Sequence, residues 1–153
     1  MSHSPAVLCI DDNVLGLAVR KAMLESLDYR VFTAENGPEG LEIASKEDID
    51  LVILDYQMPE MDGGEVAEQL RSRCSHIPIL LLSGFPGRIP RSLLAAVDGF
   101  VLKGSSPDVL LKEVERITRE SSPGTLPMPG RRRSRELSRG CRRSLRGRQK
   151  RKP

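Results

Sequence analysis

Two short apolar runs in this chain end on acids: AVLCI runs into Asp11 and Asp12, and DLVIL into Asp55. Parallel strands buried on both faces read as continuous Val, Ile and Leu runs, and sites in open α/β sheets form outside the carboxyl ends of the strands. All three carboxylates therefore belong to one rim. At about 4 Å apart, each pair repels by roughly 4 kcal/mol at an effective dielectric near 20, a large share of a domain's stability. A cation must offset that. Oxygen donors with no Cys or His cluster favour a hard ion such as Mg2+.

From Ala6 to about Arg119, strand-like runs alternate with amphipathic stretches, the pattern of βα units feeding a parallel sheet. Strands are predicted at 6–10, 30–34, 50–54, 77–82 and 99–102. Val14, Leu17, Leu24 and Leu27 form a helical stripe broken by Lys21, and Leu110, Val114 and Ile117 form another. Asn36 with Glu39, Asp62 with Glu65, and Ser106 before Pro107 mark three helix starts. Gly84, Pro86, Gly87 and Pro90 leave only RSLLAAV for a short fourth helix. Right-handed crossovers limit a five-unit sheet to a few topologies; the expected one, a doubly wound five-stranded parallel sheet of order 2-1-3-4-5, sets strands one and three side by side and brings Asp11, Asp12 and Asp55 together.

Charge divides the chain. Residues 1–120 hold 12 Lys+Arg against 20 Asp+Glu, a net of −8, whereas 121–153 hold 12 against 1, a net of +11. The first segment is expected to be the folded domain. The second, rich in Arg, Ser, Gly and Pro, lacks the apolar residues for a core and is expected to be a disordered basic tail. Three readings of that tail stay open: a solvated extension, a nucleic-acid or polyanion contact, and self-contact with the acidic domain. Cys9, Cys74 and Cys141 are odd in number and lack metal-ligand spacing, which points to reduced thiols in a cytoplasmic protein. No apolar run is long enough to cross a membrane. The glycine-rich phosphate loop, the dinucleotide fingerprint and a serine nucleophile elbow are all missing, which argues against the common α/β enzymes.

Asp11-Asp12, Asp55 with Met58-Pro59 and Met61-Asp62-Gly63 behind it, Ser83 ending strand four and Lys103 ending strand five resemble the receiver domain of two-component response regulators. The resemblance covers about residues 5–119. It implies the flavodoxin-like architecture of the single-domain chemotaxis receiver, with Asp55 accepting a phosphoryl group from a histidine kinase or phosphotransfer protein. It further implies Mg2+ held by Asp12, Asp55 and the backbone carbonyl of Gln57, with Asp11 acting through water. Lys103 would neutralise one phosphoryl oxygen and Ser83 would donate to another. Such a chain is a phosphoacceptor that promotes its own phosphorylation and dephosphorylation, not an enzyme acting on an outside substrate.

The output would be a shift of Ser83 and its loop that lets Phe100 move, changing the face of helix four, strand five and helix five toward a downstream protein target or a homodimer partner. Phe100 stands where the family more often has Tyr, and Gly104 where it usually has Pro after the lysine. Phe85, two after Ser83, is placed to shield an acyl phosphate from water. Plainer readings stand beside these: Asp11 and Asp12 as caps of the first helix, Lys103 as a salt-bridge partner, and Phe100 as core. Two rival functions also remain, a docking or dimerisation module that needs no phosphorylation and a polyanion binder working through the tail.

Overall fold

The computed structural model describes residues 3–120. Five strands, β1 (Ala6–Ile10), β2 (Arg30–Ala34), β3 (Leu51–Asp55), β4 (Ile79–Ser83) and β5 (Gly99–Leu102), alternate with five helices. These are α1 (Val14–Glu25), α2 (Gly37–Lys46), α3 (Gly63–Arg73), α4 (Arg91–Ala96) and α5 (Pro107–Glu120), with a 3-10 turn at Pro86–Arg88. The sheet is parallel throughout, in the order β2-β1-β3-β4-β5. Among the described residues no helix is long and apolar enough to cross a membrane. The expected basic tail, 121–153, lies outside the described residues.

Strand alternation splits the core into two layers. Leu8, Ile10, Val52, Leu54, Ile79 and Leu81 face α2 and α3, packing with Leu41, Val66 and Leu70. Val7, Cys9, Leu51, Ile53, Leu80 and Leu82 face α1 and α5, packing with Leu17, Leu24, Leu110, Val114 and Ile117. Burying each large side chain contributes about 1.5–3 kcal/mol, so the three central strands, covered on both sides, form the rigid frame behind the rim.

The strand boundaries shift slightly from expectation. Asp50 does not belong to β3; its carboxylate accepts from the Ala6 N–H (2.8 Å) and pins the start of β1. β3 instead runs one residue further, so that Asp55 is its last member, opposite Leu82. Ile77 and Pro78 precede β4, which ends on Ser83 itself. Asn36 and Asp62 cap α2 and α3 as expected, each accepting from the N–H three residues on.

Helix α1 corrects two readings. Its cap is Asn13, whose side chain accepts from Gly16 N–H (3.0 Å), so neither Asp11 nor Asp12 fills that role. Its inward stripe is narrower than expected, because Leu17 and Leu24 are buried while Val14 and Leu27 are more than half exposed. The charged interruption of that stripe is Arg20, with 14 % of its side chain exposed, whereas Lys21 lies outward beside Glu25.

The cysteines divide as well. Cys9 is a buried free thiol, and burial pushes its pKa up to about 12, which leaves it inert packing. Cys74, at the end of α3, is buried too, and Cys141 lies outside the described residues.

Candidate functional site

Ile10 lies opposite Leu54 in the β1–β3 register, so the next step along both strands sets Asp11 beside Asp55. Asp11, Asp12 and Asp55 each offer a carboxylate oxygen, and these atoms all lie within 4.8 Å of one another. Asp11 and Asp55 are buried and Asp12 is exposed, so the cluster opens to solvent on one side.

Lys103 reaches this cluster from the far side of the sheet. Its N–H bonds to the Ser83 carbonyl (2.9 Å), continuing the β4–β5 ladder by one residue. The chain then turns sharply, closed by Ser105 N–H donating to the Leu102 carbonyl (3.2 Å). Gly104 occupies the third position of that turn with φ +89°, a conformation open to glycine and closed to proline, whose φ is fixed near −65°. The departure from the family's Lys-Pro therefore changes the loop and still aims the ammonium inward: Lys103 Nζ is 2.9 Å from Asp55 Oδ1 and 3.2 Å from Asp11 Oδ2.

The two buried acids respond in opposite directions. Burial alone would raise Asp11, but the Asn13 N–H on its Oδ1 (2.9 Å) and the Lys103 and Arg20 cations outweigh that and hold it below the ordinary carboxylate value. Burial raises Asp55 to about 6; Lys103 pulls the other way and the charge of Asp11 adds to the rise. Lys103 Nζ is the cation that faces the buried Oδ1 of Asp55. Three carboxylate oxygens gathered at one strand edge, with no Cys or His in the cluster, fit a hard divalent cation.

Loops complete the rim. The β3–α3 connection folds back on the strand end through Gly63 N–H to the Tyr56 carbonyl (2.8 Å). A Cβ on Gly63 would stand 2.6 Å from the Asp55 carbonyl oxygen, so only glycine allows this approach. Within the loop Glu60 adopts φ +68° in a tight turn closed by Met61 N–H to the Pro59 carbonyl (2.8 Å), a strained conformation beside the site. Gln57 is exposed on the same loop, two residues past Asp55.

Ser83 is fully buried at the neighbouring strand end, and its Oγ accepts from Phe85 N–H (3.1 Å). Space beside Gly84 is open, and the Phe85 ring, 55 % exposed, carries the Arg88 guanidinium 5.2 Å from its centroid. Phe100 lies opposite Leu81 on β5, half-buried against the α2–α3 layer.

Every residue expected at the site thus lies on one edge of the sheet, except Phe100, which sits further back on β5. The sequence reading missed Arg20, whose guanidinium bonds to Asp11 Oδ2. An arginine three residues after Leu17 and four before Leu24, on the buried side of α1, was the available signal.

Comparison with known proteins agrees with this geometry. The family model described as the response regulator receiver domain matches residues 7–115. The transcriptional regulatory protein GlrR of Escherichia coli is 35% identical over 129 residues, covering 82% of this chain and 29% of GlrR. This chain therefore spans under a third of that relative. The two-component response regulator ORR5 of Oryza sativa is 32% identical over 121 residues, covering 76% of this chain and 90% of that protein. Among solved structures, the response regulator TrrA of Thermotoga maritima in complex with Mg(2+)-BeF is 32% identical, with a TM-score of 0.70 over 74% of this chain and 98% of that one. TrrA is also seen in complex with the histidine kinase ThkA, with a TM-score of 0.68.

Proposed function

This chain belongs to the response regulator receiver domain family, and we propose that it accepts a phosphoryl group on Asp55 from a histidine kinase or phosphotransfer protein. One observation carries the reading: the buried Asp55 Oδ1 meets the Lys103 ammonium at 2.9 Å inside a cluster of three carboxylates. Asp12 and Asp55 would hold Mg2+, with the Gln57 backbone carbonyl and, through water, Asp11; the ion supplies charge neutralisation for an incoming phosphoryl group.

The chain's own groups then have separable tasks. Phosphoryl transfer passes through a loose transition state, so positioning and charge balance matter more than covalent chemistry. β3 and Gly63 fix Asp55 as the attacking oxygen. Lys103, already paired with it, is within reach of an equatorial phosphoryl oxygen. Ser83 can exchange its bond from Phe85 N–H for a role as donor to another oxygen, drawing the β4–α4 loop toward the site. Support for an output surface comes from α4, which has no fully buried residue and is the least anchored helix beside that loop. Its movement with β5 and α5 would present a changed face to a downstream protein. The receiver would span 1–120, act as a phosphoacceptor rather than on an outside substrate, and work in the cytoplasm.

Beryllofluoride with Mg2+ tests the reading. Amide shifts at Asp55, Ser83 and Lys103 should move together when both are added, and should not move in Asp55→Asn. A wild-type chain indifferent to the mixture contradicts the proposal and leaves the phosphorylation-independent docking module in its place.

A further inference from the structure

Helix α1 carries a charge that a stripe between Leu17 and Leu24 has no packing reason to hold. Arg20 is 14 % exposed by side chain, its guanidinium bonds to Asp11 Oδ2, and its buried Nε has no hydrogen-bond partner. An unpartnered buried donor opposes folding, so the position is held by what the rest of the guanidinium does. Room for it comes from Gly16, one turn earlier: a Cβ there would sit 3.3 Å from Nη2 and 3.5 Å from Nη1. The helix thus gives up a side chain where the guanidinium crosses toward the rim.

Asp11 is consequently saturated. Its Oδ1 takes the Asn13 N–H (2.9 Å), and its Oδ2 takes both Arg20 and Lys103 (3.2 Å). Three carboxylates facing Lys103 alone would leave the pocket two charges negative; with Arg20 it is one. A guanidinium does not lose its charge at any physiological pH, so this compensation is permanent.

We propose that Arg20 is a built-in counter-cation of the acidic pocket that competes with the divalent ion for Asp11, so that the unphosphorylated chain holds Mg2+ more weakly than the same pocket would without it. The inference rests on the proposed reading of Asp11, Asp12 and Asp55 as a cation site. Metal entry must either push the guanidinium aside or proceed beside it, and both oppose binding. Arg20 is a positioning residue in this account: it acts on the ion through Asp11.

The test is a titration of the full 153-residue chain with Mg2+, and with Mn2+ as a second probe, followed by amide shifts of Asp12, Tyr56 and Gln57. Arg20→Leu should tighten binding by about fivefold to tenfold, the effect of removing one unit charge near a divalent ion in a mostly aqueous dielectric. Arg20→Lys, which keeps the charge, should stay within about twofold of wild type by the same reasoning, as should Lys21→Leu on the outer face. Arg20→Gln serves as the neutral variant if circular dichroism shows that leucine disturbs the helix. Unchanged or weaker binding in the folded neutral variant, with wild type binding normally, overturns this inference alone. Failure of both wild type and neutral variant to bind either ion at millimolar concentration overturns the metal site as well. Binding that appears only in the neutral variant supports the competition.

Discussion

Replacing Asp55 by Asn should make the metal-free protein more stable at neutral pH. The side chain is 2% exposed, and its ionisation in the folded chain is opposed by burial and by Asp11. A rise from 3.8 to about 6 means the folded state holds its proton between those values while the unfolded chain has already released it. Stability then falls as pH rises through that window, in the sense opposite to an ordinary ion-paired carboxylate. The full shift corresponds to roughly 3 kcal/mol, and an amide that finds its hydrogen bonds imperfectly reduces the gain, so about 1–3 kcal/mol is expected. Asp11 works the other way, since its lowered pKa contributes stability that is lost only as pH falls below the ordinary value near 3.8, outside this window. Urea unfolding in EDTA should show Asp55→Asn ahead of wild type at pH 7 and level with it near pH 4; added Mg2+ should close the gap by stabilising wild type. A variant less stable than wild type at pH 7, or a difference independent of pH, would refute the account of Asp55 as a carboxylate held in unfavourable surroundings.

Three further outcomes are expected. Gly63→Ala, which drives a Cβ to 2.6 Å from the Asp55 carbonyl oxygen, should cost about 1–3 kcal/mol in urea unfolding and weaken Mg2+ binding measured in parallel. Lys103→Met should slow phosphoryl uptake from acetyl phosphate by at least about tenfold, read by intact-protein mass, because a cation facing the developing charge is removed. Phe85→Glu should shorten the lifetime of the phosphorylated form, followed by the decay of the same mass, because an exposed apolar ring is exchanged for a group that can orient water.

The parts of the fold legible in the sequence were those set by burial on two faces. AVLCI and the runs before Asp55 and Ser83 read as central parallel strands, and handedness narrowed their order to a few topologies. Legibility ended where the outcome turns on a single residue's phase or on empty space. Lys21 and Arg20 differ by one helical step and both lie between Leu17 and Leu24, so it takes the burial of Arg20 against Asp11, with Gly16 leaving room for its guanidinium, to show which of the two turns inward. Asp50 reads as the first residue of an apolar run, yet its carboxylate ties down Ala6. Gly104 reads as the loss of a proline, yet with the loop turning there at positive φ Lys103 still stands 2.9 Å from Asp55. The strain at Glu60 leaves no trace in composition, because the turn that imposes it is closed by backbone groups alone.

The central claim is that one buried aspartate at the end of β3 carries a phosphoryl group. Intact mass of the full chain after incubation with Mg2+ and acetyl phosphate or a cognate kinase measures it directly. The account predicts one added phosphoryl group, lost on mild base treatment, dependent on Mg2+, and absent from Asp55→Ala. A modification that persists in Asp55→Ala, or none in wild type with a competent donor, contradicts it.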